Sequence, residues 1–439
     1  MRLHENEGCL GENHRFGRHG DQEKVFLTDR LSELSFPAMG FVEKGVSVMG
    51  KRCGFLFAFV SVLAMGCFAS GSELGNIHFG HLYVHPRLGV EGTYDDNLFL
   101  LGEERVDDFL FSIKPGIDLD YTREGKSARV NYLADIGRYV DNSVYDYETH
   151  VVDAAVDLEF VSGLMVFVGD NFRTANDRPT YEWVPLIRRR QNTADLKVGY
   201  EFTDRLSVQG GYDRLMIDYR EPLYEVYNRD EDIVNATVFY RMFPKVSLLG
   251  QVEYRWIDYD QNTGRRFDSE GIAGWLGITG QLTSKMVALI KGGWQTRDYD
   301  GPQEDWDGGV FSVDIVHRAT ETLFLTVGGT REAIESTYAT NNYYVSTEAR
   351  AGVEKALGPK ISVAVSGFYA NSNYPEVTLT QGTFSERDDD IWGARAGVRY
   401  NIQPWLSTSL WYTHEERNSN QDTFDYGDNR VSLGVWAVF

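Results

Sequence analysis

Val246-Ser247-Leu248-Leu249-Gly250-Gln251-Val252-Glu253-Tyr254-Arg255-Trp256 sets Val246, Leu248, Gly250, Val252, Tyr254 and Trp256 on one side of an extended chain. Ser247, Gln251, Glu253 and Arg255 fall on the other. Successive side chains of a strand point to opposite faces, so the segment reads as a β-strand with one apolar and one charged face. The rhythm recurs in both directions. Ala194, Leu196, Val198, Tyr200 and Phe202 alternate with Thr193, Asp195, Lys197, Gly199 and Glu201. Trp392, Ala394, Ala396, Val398 and Tyr400 alternate with Arg395 and Arg399, and Val152, Ala154, Val156, Leu158 and Phe160 with Asp153, Asp157 and Glu159. Any one such segment would suit a water-soluble sandwich with its apolar face packed inward. The row ends discriminate: Tyr132, Tyr200, Trp256, Trp294, Tyr369, Tyr400 and Tyr412 close apolar rows, as aromatic girdles at two lipid interfaces would.

The connections alternate as well. Short turns fall at 122–126, 161–163, 203–204, 243–245, 282–285, 318–321, 356–359 and 402–404. Longer acidic or Asn-rich stretches lie between them, at 95–107, 175–187, 219–231, 259–266, 335–342, 371–388 and 415–428. This predicts an all-β fold over residues 82–439, a transmembrane antiparallel up-and-down β-barrel of about eighteen strands, with sixteen as the alternative count. The segments suffice to cross a bilayer, since a tilted spanning strand needs about 9–11 residues.

Composition narrows the function. The chain has 439 residues and a net charge of −22, which disfavours nucleic acid, because phosphate binding needs a basic face. Cys9, Cys53 and Cys67 all precede the strands, leaving that region without disulfides or Cys-ligated metal, as suits passage through an oxidising periplasm. From Met49, a short basic stretch with Lys51 and Arg52 leads into the apolar run 55–65, the layout of a signal peptide spanning 49–71, cleaved near Gly71 or Ser72. The run is shorter than the ~20 residues of a membrane-spanning helix. Lipidation at Cys67 is a weaker alternative, because Ala64 stands where such sites carry Leu. Residues 1–48 read as a non-native upstream extension or a disordered segment, and 72–81 as a short periplasmic lead-in.

No phosphate-binding loop, His-Glu-x-x-His pair or Gly-x-Ser-x-Gly elbow is present, so no catalytic residue, cofactor or metal is expected. His150 near Asp153 and His414 beside Glu415 lack a nucleophile pattern and read as rim or girdle residues. The acidic runs 230–232 and 388–390 lack the spacing of a calcium loop and read as solvated loop charge, with divalent bridging to lipopolysaccharide as the lesser alternative. With the apolar rows facing lipid, the expected lumen-lining residues are Lys114, Arg129, Asp135, Asp153, Asp157, Asp195, Lys197, Glu201, Glu253, Arg255, Lys291, Arg297, Arg350, Arg395 and Arg399, together with Asp118 and Gln251. Packing such charge dry is costly, so a wet bore is expected, the alternative being a bore plugged by inward-folded loops or mutually paired charges.

Val431, Leu433, Val435, Ala437 and the terminal Phe439 form a closing apolar row, which resembles the recognition signal of the outer-membrane barrel assembly machinery. Three stretches carry a family likeness: Thr93-Tyr94-Asp95-Asp96-Asn97-Leu98-Phe99, Lys114-Pro115-Gly116-Ile117-Asp118-Leu119-Asp120-Tyr121 and Asp428-Asn429-Arg430-Val431-Ser432-Leu433-Gly434. They resemble the outer-membrane β-barrel porin group often found beside exopolysaccharide synthesis and export genes. The resemblance implies a barrel in the bacterial outer membrane and assigns no residue roles. The expected function is a porin-like channel for passive passage of hydrophilic solutes, a saccharide or exopolysaccharide among them, in contact with lipid and lipopolysaccharide. A non-conducting surface anchor with acidic outer loops is the alternative, and a barrel hydrolase the remote one.

Overall fold

The computed structural model describes residues 77–177, 187–261, 266–302, 304–338, 341–380 and 383–439. The expected extension, the signal peptide and residues 72–76 lie outside that range. A short strand, β1 (Ile77–Phe79), pairs with β2 across Gly80. The wall begins with β2 (Leu82–Asp95), β3 (Asp108–Arg123), β4 (Lys126–Tyr139), β5 (Tyr147–Glu159), β6 (Leu164–Asp177) and β7 (Ile187–Glu201). It continues through β8 (Leu206–Tyr219), β9 (Arg229–Phe243), β10 (Val246–Tyr259), β11 (Ser269–Thr283), β12 (Met286–Tyr299) and β13 (Trp306–Thr320). The circuit ends with β14 (Leu323–Glu335), β15 (Tyr343–Ala356), β16 (Ile361–Thr380), β17 (Thr383–Gln403), β18 (Leu406–Ser419) and β19 (Tyr426–Val438).

Each strand from β3 onward pairs antiparallel with its predecessor. β19 then returns to β2, from Arg430 opposite Asp95 to Val438 opposite Arg87. The result is the expected closed barrel of eighteen strands, β2 to β19. Closure matters in lipid, where an unpaired edge would leave donors and acceptors with no water to satisfy them. At one end the connections are tight turns; Gly125, in the turn between β3 and β4, has φ +64°, which a residue without Cβ takes without strain. Both barrel termini lie at that end, and the longer connections lie at the other.

One expectation needs correction. Residues 371–380 and 383–388 are not loop: they belong to β16 and β17, which run 20 and 21 residues and pair as a long ladder. The polar residues that suggested a loop bond across the ladder, Asn371 Nδ2 donating to Asp388 Oδ1 at 2.7 Å and Asn373 Nδ2 to Asp388 Oδ2 at 3.2 Å. The register shifts between Tyr374 and Thr378, where Pro375 has no N–H to offer.

The outer face is a band of exposed apolar side chains, including Leu276, Leu433, Trp294 and Phe111, the last three 58%, 57% and 56% accessible. A patch of that extent needs a non-aqueous partner. Where the band ends toward the loops, tyrosine hydroxyls donate to carboxylates: Tyr212 to Asp232 and Tyr369 to Asp390, both at 2.5 Å, and Tyr254 to Glu270. Such rings sit with one end apolar and the other wet.

Candidate functional site

Strand alternation and cross-strand register place all fifteen of the expected lumen-lining charges on the inner face. The register shows what each one meets. Lys114 Nζ lies 2.8 Å from Glu91 and 3.8 Å from Asp135. Arg350 joins Asp314 at 2.7 Å and Glu348 at 3.1 Å. Arg255 approaches Glu231 at 3.9 Å, with Arg229 on the same carboxylate at 2.9 Å. Glu201 meets Arg241 at 3.5 Å. Asp153 accepts from Asn171 and Asp157 from Ser127 Oγ, the latter at 3.1 Å. Lys197 lies over the Phe167 ring and Lys291 over that of Trp275, at 4.8 and 4.4 Å, while the Trp275 indole N–H donates to Glu253 at 3.2 Å. Arg129 and Asp195 share the inner faces of β4 and β7 with these groups. Asp118 pairs with Arg87 at 3.2 Å, and Gln251 Oε1 accepts from Lys291 Nζ at 3.2 Å. Pairing of this kind offsets the cost of taking charge from bulk water.

At the loop end a cluster forms on the lumen side of the wall, from residues the sequence reading missed. The hairpin of β14 and β15 bends inward, so Glu335 accepts from Arg297 Nη1 at 2.7 Å, Tyr259 OH at 2.7 Å and Tyr299 OH at 3.0 Å. Further along, Asn341 O accepts from Arg266 Nη1 at 2.6 Å, and Asn341 Oδ1 accepts from Glu376 N at 2.8 Å. Tyr338 reaches the opposite flank, its hydroxyl 3.1 Å from Thr378 Oγ1 and 3.3 Å from Gln421 Oε1. There the Arg387 guanidinium lies 4.6, 4.7 and 3.7 Å from the rings of Tyr338, Tyr374 and Phe424, with Asp389 at 2.6 Å. Residues 334–338 and 341–344, held by β10 and β12 on one side and by β16, β17 and the β18–β19 connection on the other, reach across the loop end as a strap. Its signature in the sequence is the aromatic density of Tyr338, Tyr343 and Tyr344 beside Ile334, unusual for an exposed loop.

Two family-like stretches meet at the closing seam. Asp96 N donates to Asn429 O at 3.1 Å, and Asp96 accepts from Asn429 N and Nδ2 at 2.6 and 2.7 Å. Asn97, fully buried, donates to Leu101 O at 2.7 Å and Gly427 O at 2.9 Å, and accepts from Leu101 N at 2.9 Å. Carboxylate oxygens of Asp95, Asp96 and Asp428 gather within 4.8 Å here, already engaged in these hydrogen bonds and in the Arg430–Asp428 pair at 3.0 Å.

The acidic runs are not solvated loop charge: alternation splits them between the two faces. Glu231 and Asp389 point inward to Arg229 and Arg387, whereas Asp230 binds Arg214 at 2.5 Å and Asp390 binds Tyr369 on the outside. His150 and His414 sit on the outer face, His150 Nδ1 3.0 Å from Tyr132 OH and His414 Nδ1 2.9 Å from Asn429 Oδ1.

A closed eighteen-stranded wall, a lipid-facing apolar band and a charged inner face define a porin-type β-barrel. Residues 74–439 match the family described as "Putative beta-barrel porin 2", and the chain belongs to it. It is therefore a porin-like channel protein of the bacterial outer membrane, in contact with that membrane's lipid. No curated protein matches the chain. Among solved structures, the outer membrane protein OpdK from Pseudomonas aeruginosa is similar with a TM-score of 0.44 at 12% identity, over 81% of this chain and 99% of that one. Pseudomonas aeruginosa OprD gives 0.42 at 12%, over 85% and 97%. OccK2 (OpdF) of the same organism, in complex with glucuronate, gives 0.44 at 9%, over 82% and 99%.

Proposed function

We propose that the barrel carries hydrophilic solutes, saccharides among them, by passive diffusion through a water-filled bore whose narrowest point is the strapped mouth. The supporting observation is the inner face, where charges of both signs recur around the wall and many pair across it, a lining that suits water along the axis. Planar-bilayer recording of the refolded chain beginning at Ser72 tests this; discrete conductance steps that saccharide fragments shorten or block are expected. Silence from a barrel verified by its heat-dependent gel shift would reject it. The pinned strap favours that second reading, a surface anchor whose rim contacts lipopolysaccharide or polysaccharide.

The last strand supports a role in assembly. Val431, Leu433, Val435, Ala437 and Phe439 form an outward row, Phe439 N donates to Pro86 O at 2.9 Å, and its ring stacks on Trp405 at 5.5 Å. Deleting Phe439 is expected to cut the amount reaching the outer membrane while detergent refolding in vitro proceeds. Equal loss in both settings would make the residue structural only.

A further inference from the structure

The chain as a whole is strongly acidic, yet one strip of the inner wall carries two cations with no carboxylate in ion-pair contact among the described residues. Arg395 and Arg399 stand on the inner face of β17, four residues and therefore about 13 Å apart along the strand. Their cross-strand neighbours are small hydroxyls: Ser366 and Thr413 beside Arg395, Ser362 and Ser409 beside Arg399. Neither guanidinium forms an ion pair among the described residues; Glu91 and Glu354 act on them only at longer range, and Arg430 adds like charge near Arg395. Lys114, Arg87 and Arg350, by contrast, each lie within 3.2 Å of an acid.

The strip is also held in shape. A Cβ at Gly397, midway between the two arginines, would lie 2.1 Å from Cε3 of Trp411, so only a residue without a side chain lets that indole lie flat on β17. The Arg395 guanidinium sits 4.1 Å over the same ring, which fixes its plane without using its hydrogen-bond donors. A preorganised guanidinium with free donors, a second one further along the bore and hydroxyls flanking each suit a planar carboxylate on a polyhydroxylated frame.

Resting on the channel reading above, we propose that Arg395, Trp411 and Arg399 form an anion-binding step that makes the bore favour carboxylate-bearing solutes, such as uronic acids, over neutral ones. The test uses glucuronate against glucose on the refolded protein and on R395Q/R399Q, whose glutamines keep polarity while removing charge. In a potassium chloride gradient the unaltered barrel should show the reversal potential of an anion-preferring pore. Glucuronate should interrupt its current where glucose does not. The double variant should keep its conductance, lose the anion preference and bind glucuronate about tenfold more weakly or worse. Trp411→Leu, which frees Arg395 from its stack, should weaken glucuronate without changing the sign of the reversal potential. Potassium preference in the unaltered barrel, or a double variant indistinguishable from it, overturns the proposal. Calorimetric titration in detergent reads the same site without current: glucuronate binding by a silent barrel would retain the anion step while rejecting the channel, and absence of binding would reject the step itself.

Discussion

Glu335→Ala is expected to raise single-channel conductance severalfold and to make the open level noisier. Glu335 is the anchor of the strap on the β10–β12 side, accepting from Arg297, Tyr259 and Tyr299 at 2.7–3.0 Å. Arg297 is 1% exposed, so removing its carboxylate leaves a buried cation without its partner, a change that costs about 3–5 kcal/mol. The strap can relieve that cost by lifting, because β14 beyond Arg331 no longer pairs with β13. Glu335→Gln, which keeps an acceptor but loses the charge, should fall between the two. The heat-dependent gel shift should hardly move, since the ladder of the wall does not run through this contact. Unchanged conductance with a released strap, read by protease cleavage between Ser336 and Asn342, would show that the mouth is not the narrowest point.

Asn97→Ala should lower the heat-unfolding midpoint of the folded barrel by several degrees. The buried Asn97 side chain makes three hydrogen bonds: two fold the β2–β3 connection onto Leu101 and one fastens it to Gly427 O at the start of β19. Stranding those groups costs roughly 1–3 kcal/mol apiece before relaxation. The seam is where the loss should be felt, because the β19–β2 ladder runs only from Arg430 to Val438. Asn97→Asp keeps the acceptor for Leu101 N but turns an oxygen toward the carbonyls of Leu101 and Gly427 beside three carboxylates, so it should cost at least as much. An Asn97→Ala barrel that unfolds with the native midpoint would mean that the ladder alone holds the seam.

The wall was legible because alternation belongs to each strand separately: Val246–Trp256 or Trp392–Tyr400 declares two faces without reference to a neighbour. The side on which Lys114, Glu253 or Arg395 would fall followed from the same pattern. Partners did not, since a strand carries no record of which residue of the next will stand opposite; Glu335 meets Tyr259, 76 positions away, only after three intervening strands have set the geometry. The long hairpin was hidden for a different reason. Asn371, Asn373 and Asp388 look like loop residues, yet above the apolar band a polar ladder is stable, and side-chain amides there reinforce the pairing they were expected to end. The motif around Asp95–Asn97 could be seen but not interpreted, because its counterpart lies more than 300 residues downstream.

That last separation orders events in time. Asn97 and Asp96 emerge from the ribosome and the export machinery more than 300 residues ahead of Gly427 and Asn429. Until they do, the first strand has nothing with which to fasten. A chain truncated anywhere before Gly427 can form hairpins but cannot lock the ring, so fastening serves as a check passed only by a chain that carries β19.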